Sequence, residues 1–137
     1  MKKIIRDMAI CLLVGVLSAA FTGNQVVAAV VGKKINVVIE YGNGQPARTI
    51  AAAVSPGQTV LGVLQAVATV ETHPVDQFIF VTAIDGVHGK RGEMAWYYTI
   101  DGSKADKLAA ANVLADNVSQ IKWSYQKDVC SCTVDKK

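Results

Sequence analysis

Residues 94–102 read MAWYYTIDG and place Trp96, Tyr97 and Tyr98, three of the chain's nine aromatic residues, directly before an Asp-Gly pair. Aromatic residues favour strands and Asp-Gly favours a tight turn, so this stretch predicts a strand over residues 94–100 that ends in a turn. Side chains alternate between the two faces of a strand, which puts Trp96 and Tyr98 on one face and Tyr97 on the other. We expect Trp96 and Tyr98 to pack in the core and Tyr97 to be the ring that meets a ligand or a partner.

The segments on either side predict an α+β domain. Residues 33–41 alternate apolar and polar side chains, as a half-buried strand does, and residues 47–54 can return as a second strand. Thr59 can cap a short helix, because apolar residues follow it at helical spacing. The remaining predicted elements are a strand over residues 77–84, a short helix over residues 104–111 and a strand over residues 119–125. The main order, β-β-α-β-β-β, predicts a mixed sheet with one main crossover helix on one face.

The first 29 residues are predicted to be a secretory signal. A basic head that ends at Arg6 is followed by an uncharged, mostly apolar run over residues 8–21 and then by small residues up to Ala29. The apolar run is shorter than the roughly 20 residues of a membrane helix, although a retained membrane anchor is the alternative. We therefore expect cleavage after Ala29 and a secreted or periplasmic protein that meets the membrane only through its signal. The predicted divisions are the signal (1–29), one domain (30–126) and a polar tail (127–137).

The charge of the predicted mature chain gives little support to nucleic-acid binding. Removing Lys2, Lys3, Arg6 and Asp7 from the formal net charge of +3 leaves +1, and no run of basic residues exceeds two. Binding to phosphate backbones depends on clustered basic residues, so we expect no nucleic-acid partner.

No catalytic or metal-binding motif is present in the sequence. His73 and His88 are not spaced with each other or with carboxylates as metal ligands are, and we expect both to be solvated loop residues. The glycine-rich loop of residues 85–92 does not match the phosphate-binding pattern, and no nucleophile has a base beside it. We therefore expect a protein that is not an enzyme and has no metal centre, with this loop as a candidate for ligand contact.

Cys130-Ser131-Cys132 is the only cysteine pair of the predicted mature chain. On an extended chain their Cα atoms would lie roughly 6.6 Å apart, at the upper limit for a disulfide. Three interpretations remain open: a strained local disulfide, a redox-active pair or link to another chain, and a pair of thiolate ligands for a soft metal.

Four pieces of the chain, taken in order, resemble the transcobalamin-like C-terminal domain family: INVVIEYGNG, TVLGVLQAV, FVTAIDGVHG continued by MAWYYTIDG, and VSQIKWSYQ. Asp101-Gly102 stands where this family usually has Asn-Gly, and either pair suits the turn. The Gly-Asp that commonly precedes the last strand of the family is replaced by residues 116–118, Asp-Asn-Val. The resemblance implies a β-grasp-like fold. In the vitamin carriers of this family, such a domain closes over cobalamin together with a larger helical domain.

Three hypotheses for function follow. The first is a secreted, non-catalytic binding module that holds a small molecule, and the resemblance implies a corrinoid such as cobalamin held together with a partner. The second is an envelope or extracellular protein-interaction domain, and the third is a thiol redox or metal role for Cys130 and Cys132. The residues expected to contact a ligand are Tyr97, Trp96, Gly86, His88, Asp101 and Gly102.

Overall fold

The structure, a computed structural model, describes residues 32–129 of the chain. The predicted signal, its cleavage site after Ala29, and the cysteines Cys130 and Cys132 lie outside the described residues, so these stay predictions. Among residues 32–129, no helix has the length and apolar character needed to span a bilayer.

Eight strands and one helix make up the described part of the chain. The elements are β1 (Lys33–Glu40), β2 (Arg48–Val54), α1 (Val60–Val67), β3 (Val70–Val75), β4 (Phe78–Ile84), β5 (Val87–His88), β6 (Met94–Ile100), β7 (Ser103–Lys104) and β8 (Gln120–Lys127). The strand of the aromatic stretch, β6, has the bounds that the sequence predicted.

These strands form two sheets. The larger sheet has the order β2-β1-β8-β6-β7, and the smaller has the order β3-β4-β5. β1 and β8 run parallel, while the other neighbours in the larger sheet are antiparallel. The larger sheet is therefore mixed, which confirms the predicted α+β class with one helix between two groups of strands. The division of the strands between two sheets was not predicted.

The core joins α1 to one face of the larger sheet. Ile35, Val37 and Ile39 of β1 are almost completely buried, as their alternation predicted, and Leu64 of α1 and Trp123 of β8 are buried in the same cluster. Burying a side chain of this size contributes roughly 1.5–3 kcal/mol, so this cluster is the main source of stability.

The first turn of α1 is capped from two directions. Thr59 accepts a hydrogen bond on its side chain from the N–H of Gly62, as predicted for a helix cap. The free N–H groups of Val60 and Leu61 donate to the carbonyl groups of Asn112 and Ala109 at 2.9 and 3.0 Å. Ala109 lies in the region predicted as a second short helix (residues 104–111), and Asn112 directly follows that region. The prediction is wrong: after β7 the region forms bends and turns, and its Ala109 carbonyl accepts a hydrogen bond from α1.

The prediction of a loop around His73 and Pro74 is also wrong. Both residues lie in β3, which pairs antiparallel with β4 and has a register shift between Glu71 and Thr72. Proline is tolerated there because β3 is an edge strand, where a missing N–H can face solvent. His88, which was likewise predicted in a loop, lies in the short strand β5. Both histidines are exposed.

Candidate functional site

The two faces of β6 differ as the alternation predicted. Trp96 is only 7% exposed, and its Nε1 donates a 2.9 Å hydrogen bond to the carbonyl oxygen of Val87. The ring of Tyr41 meets the Trp96 ring edge-on, with 6.0 Å between ring centroids. Tyr98 lies on the same face, packs against the core, and accepts a 2.9 Å hydrogen bond from the amide of Asn112. Burial raises the pKa of Tyr98, so its hydroxyl stays protonated at neutral pH.

Tyr97 lies on the opposite face of β6 and is half-buried. Its hydroxyl donates to Oδ1 of Asp128 and accepts from the N–H of Val129, both at 3.2 Å. Asp128 is buried, and its other carboxylate oxygen accepts a 2.9 Å hydrogen bond from the N–H of Gly92. The chain after β8 is thereby held against both Tyr97 and the loop before β6.

An open pocket of about 230 Å³ lies beside Tyr97. Its lining offers aromatic rings, hydroxyl groups, an amide and an ammonium group. The lining residues are Tyr97, Tyr98, Thr99, Lys104, Ala105, Ser124, Gln126 and Val129. Lys104 is exposed and makes no ion pair with any carboxylate among residues 32–129. The pocket can therefore offer hydrogen bonds and one positive charge around the edge of an aromatic ring.

Gly86 and His88, two of the other residues expected to contact a ligand, lie near the Trp96 end of β6. Gly86 is in the β4–β5 turn, and His88 is next to Val87, which accepts the Trp96 hydrogen bond. The carbonyl of His88 accepts a 2.7 Å hydrogen bond from the hydroxyl of Tyr125, and its ring is exposed, 3.7 Å from Glu71. The structure thus brings Gly86, His88 and Trp96 together.

Asp101 and Gly102 lie at the other end of β6, roughly 17 Å from Trp96 along the strand. Both have positive φ angles, 46° and 82°, and form the turn into β7. The Asp101 carboxylate accepts hydrogen bonds from the N–H groups of Ser119 and Gln120, at 3.1 and 2.8 Å. It therefore fixes the start of β8. A role for Asp101 and Gly102 in ligand contact stays a prediction.

Sequence reasoning missed the exposed apolar tip of the β3–β4 hairpin. Phe78 is 47% exposed, and its neighbours Ile79 and Phe80 are each 41% exposed. Val75 lies directly across from Phe78 and is also exposed. The run QFIF belongs to the strand predicted over residues 77–84, because aromatic and β-branched residues indicate a strand, but that prediction did not say which of its residues would be exposed. No sequence signal distinguished its exposed end.

The described residues contain no group of three or more His, Cys, Asp or Glu side chains that could hold a metal ion. A metal site that includes Cys130 or Cys132 would extend beyond the described residues, and the thiol hypotheses stay predictions.

A family model described as a domain of unknown function, DUF4430, matches residues 57–127, just over half of the chain. The match begins before α1 and ends with the last residue of β8, so β1 and β2 lie outside it. No curated protein matches the chain.

Two solved structures have a similar fold. One is a protein from Ruminococcus gnavus ATCC 29149 described as a "putative metal binding protein", with a TM-score of 0.59 and 16% identity over 70% of this chain and 98% of that one. The other is haptocorrin in complex with Cbi (cobinamide), with a TM-score of 0.55 and 14% identity over 69% of this chain. This chain matches only 25% of haptocorrin. At these identities the likeness concerns the fold alone, and the relationship is distant.

Proposed function

This chain belongs to the DUF4430 family of domains of unknown function, and we propose that it is a secreted, non-catalytic module that binds a small molecule of the corrinoid class. The observation that carries the proposal is the pocket beside Tyr97, with its aromatic ring and polar rim. The fold shared with haptocorrin, which is complexed with Cbi, supports the choice of ligand class.

The chemistry of the pocket suits a ligand with a flat apolar face and a polar edge. A corrinoid has a flat macrocycle edged with amide side chains. The Tyr97 ring can pack against an apolar face, while Gln126 and Lys104 can hydrogen-bond to amide groups at the edge. The Tyr97 ring is held in place by Asp128 and Val129, so little conformational freedom would be lost on binding.

The size of the pocket implies that a partner completes the site. Ligand pockets usually have volumes of roughly 300–1,000 Å³ and bury most of the ligand, whereas this one is open and holds about 230 Å³. A corrinoid on this surface would leave most of its own surface in water. We therefore propose that the domain forms one wall of the site and that a second domain or protein forms the other.

Titration of the purified protein with cobinamide and with cobalamin, followed by corrin absorbance, tests the proposal. We expect a saturable spectral change. The variant Tyr97→Ala should bind about three- to tenfold more weakly, because ring packing is worth roughly 0.5–1.5 kcal/mol. Tyr97→Phe keeps the ring but loses the hydroxyl contacts with Asp128 and Val129 that hold it, so its affinity should lie between those of the wild type and Tyr97→Ala. Phe80→Ala on the hairpin is a control outside the pocket.

Two results would contradict this function. No saturable change at high micromolar ligand would exclude a corrinoid for the isolated protein. Unchanged affinity in Tyr97→Ala, with the fold intact by circular dichroism, would exclude the pocket as the site. The secretion part of the proposal rests on the predicted signal, and the N-terminal residue of the protein recovered outside the cytoplasm tests it.

A further inference from the structure

The two sheets of the described domain have four edge strands, and three of these are protected against pairing with another strand. β5 and β7 have only two residues each, and β7 contains Lys104. β3 contains Pro74, charged Glu71 and a register shift. Short length, proline, charge and bulges are the devices by which natural proteins block edge pairing.

The fourth edge strand, β2, has none of these devices. It runs for seven residues, RTIAAAV, with no proline and no charged residue after Arg48. Within residues 32–129 it pairs only with β1. The side chains on its exposed face belong to Thr49, Ala51 and Ala53, which are small and leave the backbone accessible.

The backbone groups of these same residues point outward. The N–H of Asn36 donates to Ser119 at 2.9 Å, so Asn36 turns its backbone groups toward β8. The backbone N–H and C=O groups of the neighbours Ile35 and Val37 must then point toward β2, where these residues pair with Ala52 and Ile50. It follows that Thr49, Ala51 and Ala53, the alternate residues of β2, direct their N–H and C=O groups away from the sheet.

The charge around this edge selects the kind of strand that fits it. Arg48 is the only charged residue from Gln45 to Val70, and it pairs with Asp85 at 2.9 Å. Lys34 lies directly across from Ala53 on the exposed face and pairs with no carboxylate in the part of the chain that is described. Ala53 has only a methyl group, so the long Lys34 side chain can reach over it toward a strand added beyond β2.

We propose that the β2 edge binds one extended segment of another protein by strand addition, with an acidic side chain opposite Ala53. The main-chain groups of Thr49, Ala51 and Ala53 provide the hydrogen bonds, as in other cases of strand addition. Lys34 provides the charge that fixes the register. β1 separates this edge from β8, whose Ser124 and Gln126 line the Tyr97 pocket, so this proposal and the proposed corrinoid site can fail separately.

A second copy of this chain fits the edge less well. Antiparallel pairing of two β2 strands about Ala51 would put Arg48 opposite Val54 of the second copy. Lys33 is the neighbour of that Val54 in its own sheet. Basic side chains would meet at both ends of the interface with no carboxylate from β2 between them, and like charges at an interface disfavour association.

Selection of seven-residue peptides from a random displayed library against the purified protein tests the proposal. We expect the selected peptides to contain Asp or Glu at one fixed position between β-branched residues. Hydrogen exchange of the Thr49, Ala51 and Ala53 amides should slow when such a peptide is bound. Ala51→Pro should weaken binding about tenfold or more, because it removes an outward N–H without touching the β1–β2 pairing.

Matched variants separate binding at the β2 edge from binding elsewhere on the domain. Ala51→Ser changes the side chain but keeps the N–H, so it should bind the peptides as the wild type does. Lys34→Glu should reverse the selected preference from acidic to basic residues. The proposal is overturned if no peptide binds, if the bound peptides protect the hairpin or the Tyr97 pocket instead, or if Ala51→Pro binds normally. It is also overturned if the protein forms a concentration-dependent dimer that Ala51→Pro abolishes, since a second copy would then occupy the edge.

Discussion

The hydroxyl group of Tyr41 donates a 2.6 Å hydrogen bond to Oδ2 of Asp85. The same carboxylate accepts from the guanidinium of Arg48 at 2.9 Å and from the N–H of Thr69 at 3.0 Å. Tyr41 directly follows β1 and Arg48 is the first residue of β2, and both of these strands belong to the larger sheet. Asp85 directly follows β4, which belongs to the smaller sheet. This one side chain therefore ties the two sheets together.

We predict that Asp85→Asn lowers the free energy of unfolding by about 1–3 kcal/mol, because a partly buried charged acceptor loses its charge and part of its hydrogen bonding. Asparagine suits this test because Asp85 has a φ of 49°, and asparagine tolerates such angles better than alanine does. Urea unfolding measures the change. Glu93→Gln is the control, because its partner Lys90 is 70% exposed and their surface ion pair should contribute little. Equal losses in the two variants would contradict the role of Asp85.

The same contact predicts a dependence on pH. Partial burial raises the pKa of Asp85, but the hydrogen bonds from Tyr41, Thr69 and Arg48 outweigh burial, and the net pKa lies below the usual value of 3.8. A carboxyl whose pKa is lower in the folded state stabilises the fold above its unfolded pKa, and that stabilisation is lost as the pH falls through the folded pKa. The difference in unfolding free energy between wild type and Asp85→Asn should be full at neutral pH and should shrink below about pH 4. A difference that stays constant down to strongly acidic pH would contradict this assignment.

The sequence predicts those elements that carry a clear local signal, and it fails where tertiary contacts decide. β1 alternates in polarity, β6 is rich in aromatic residues and ends in Asp-Gly, and Thr59 is a suitable helix cap, so all three were predicted correctly. β3 is exposed from Glu71 to Val75 and contains Pro74, so it has neither the alternation nor the composition of a buried strand. The region around Ala109 has helix-forming residues, but its carbonyl caps α1, a contact between segments far apart in sequence.

The candidate site was predictable only in part for the same reason. Alternation alone singled out Tyr97, and Tyr97 does line the pocket. The lining outside β6 comes from β7, the residue after it, β8 and the chain after β8, and a single sequence does not indicate which strands become neighbours. The turn signal at Asp101 was clear, but its carboxylate contacts depend on where β8 begins.

The two tryptophans of the chain should respond differently to replacement by phenylalanine. Nε1 of Trp96 is bonded to the Val87 carbonyl, whereas the buried Nε1 of Trp123 has no hydrogen-bond partner in the described structure. Trp96→Phe leaves a carbonyl without its donor, while Trp123→Phe removes an unsatisfied donor. We expect Trp96→Phe to destabilise the protein more than Trp123→Phe, by about 1 kcal/mol, although Trp123 is the more buried ring. Thermal unfolding of both variants measures this, and the opposite order would contradict it.

The exposed hairpin tip should be dispensable for folding. Phe78→Ser and Phe80→Ser remove side chains that are 47% and 41% exposed, so each should lower the free energy of unfolding by only about 1 kcal/mol. Binding of a hydrophobic fluorescent dye to the native protein should fall, because these rings are among the large apolar groups left in water. Ile84→Ser, on the same strand but completely buried, should lose several kcal/mol and is the control. A large loss of stability in the Phe78 variant would mean that the tip is packed.

Gly42 and Gly44 form a matched pair in the β1–β2 connection. Both have positive φ angles, 63° and 85°, so alanine at either position should cost about 1–2 kcal/mol in backbone strain. A Cβ atom at Gly42 would also collide with the carbonyl oxygen of Tyr125, whereas a Cβ atom at Gly44 meets nothing within 4 Å. Tyr125 lies in β8, so the collision would push the β1–β2 connection away from the larger sheet. Gly42 directly follows Tyr41, so this shift would occur beside the Tyr41–Asp85 hydrogen bond. Gly42→Ala should therefore be clearly less stable than Gly44→Ala in urea unfolding. If the two variants are equally stable, the close approach between Gly42 and β8 does not exist in solution.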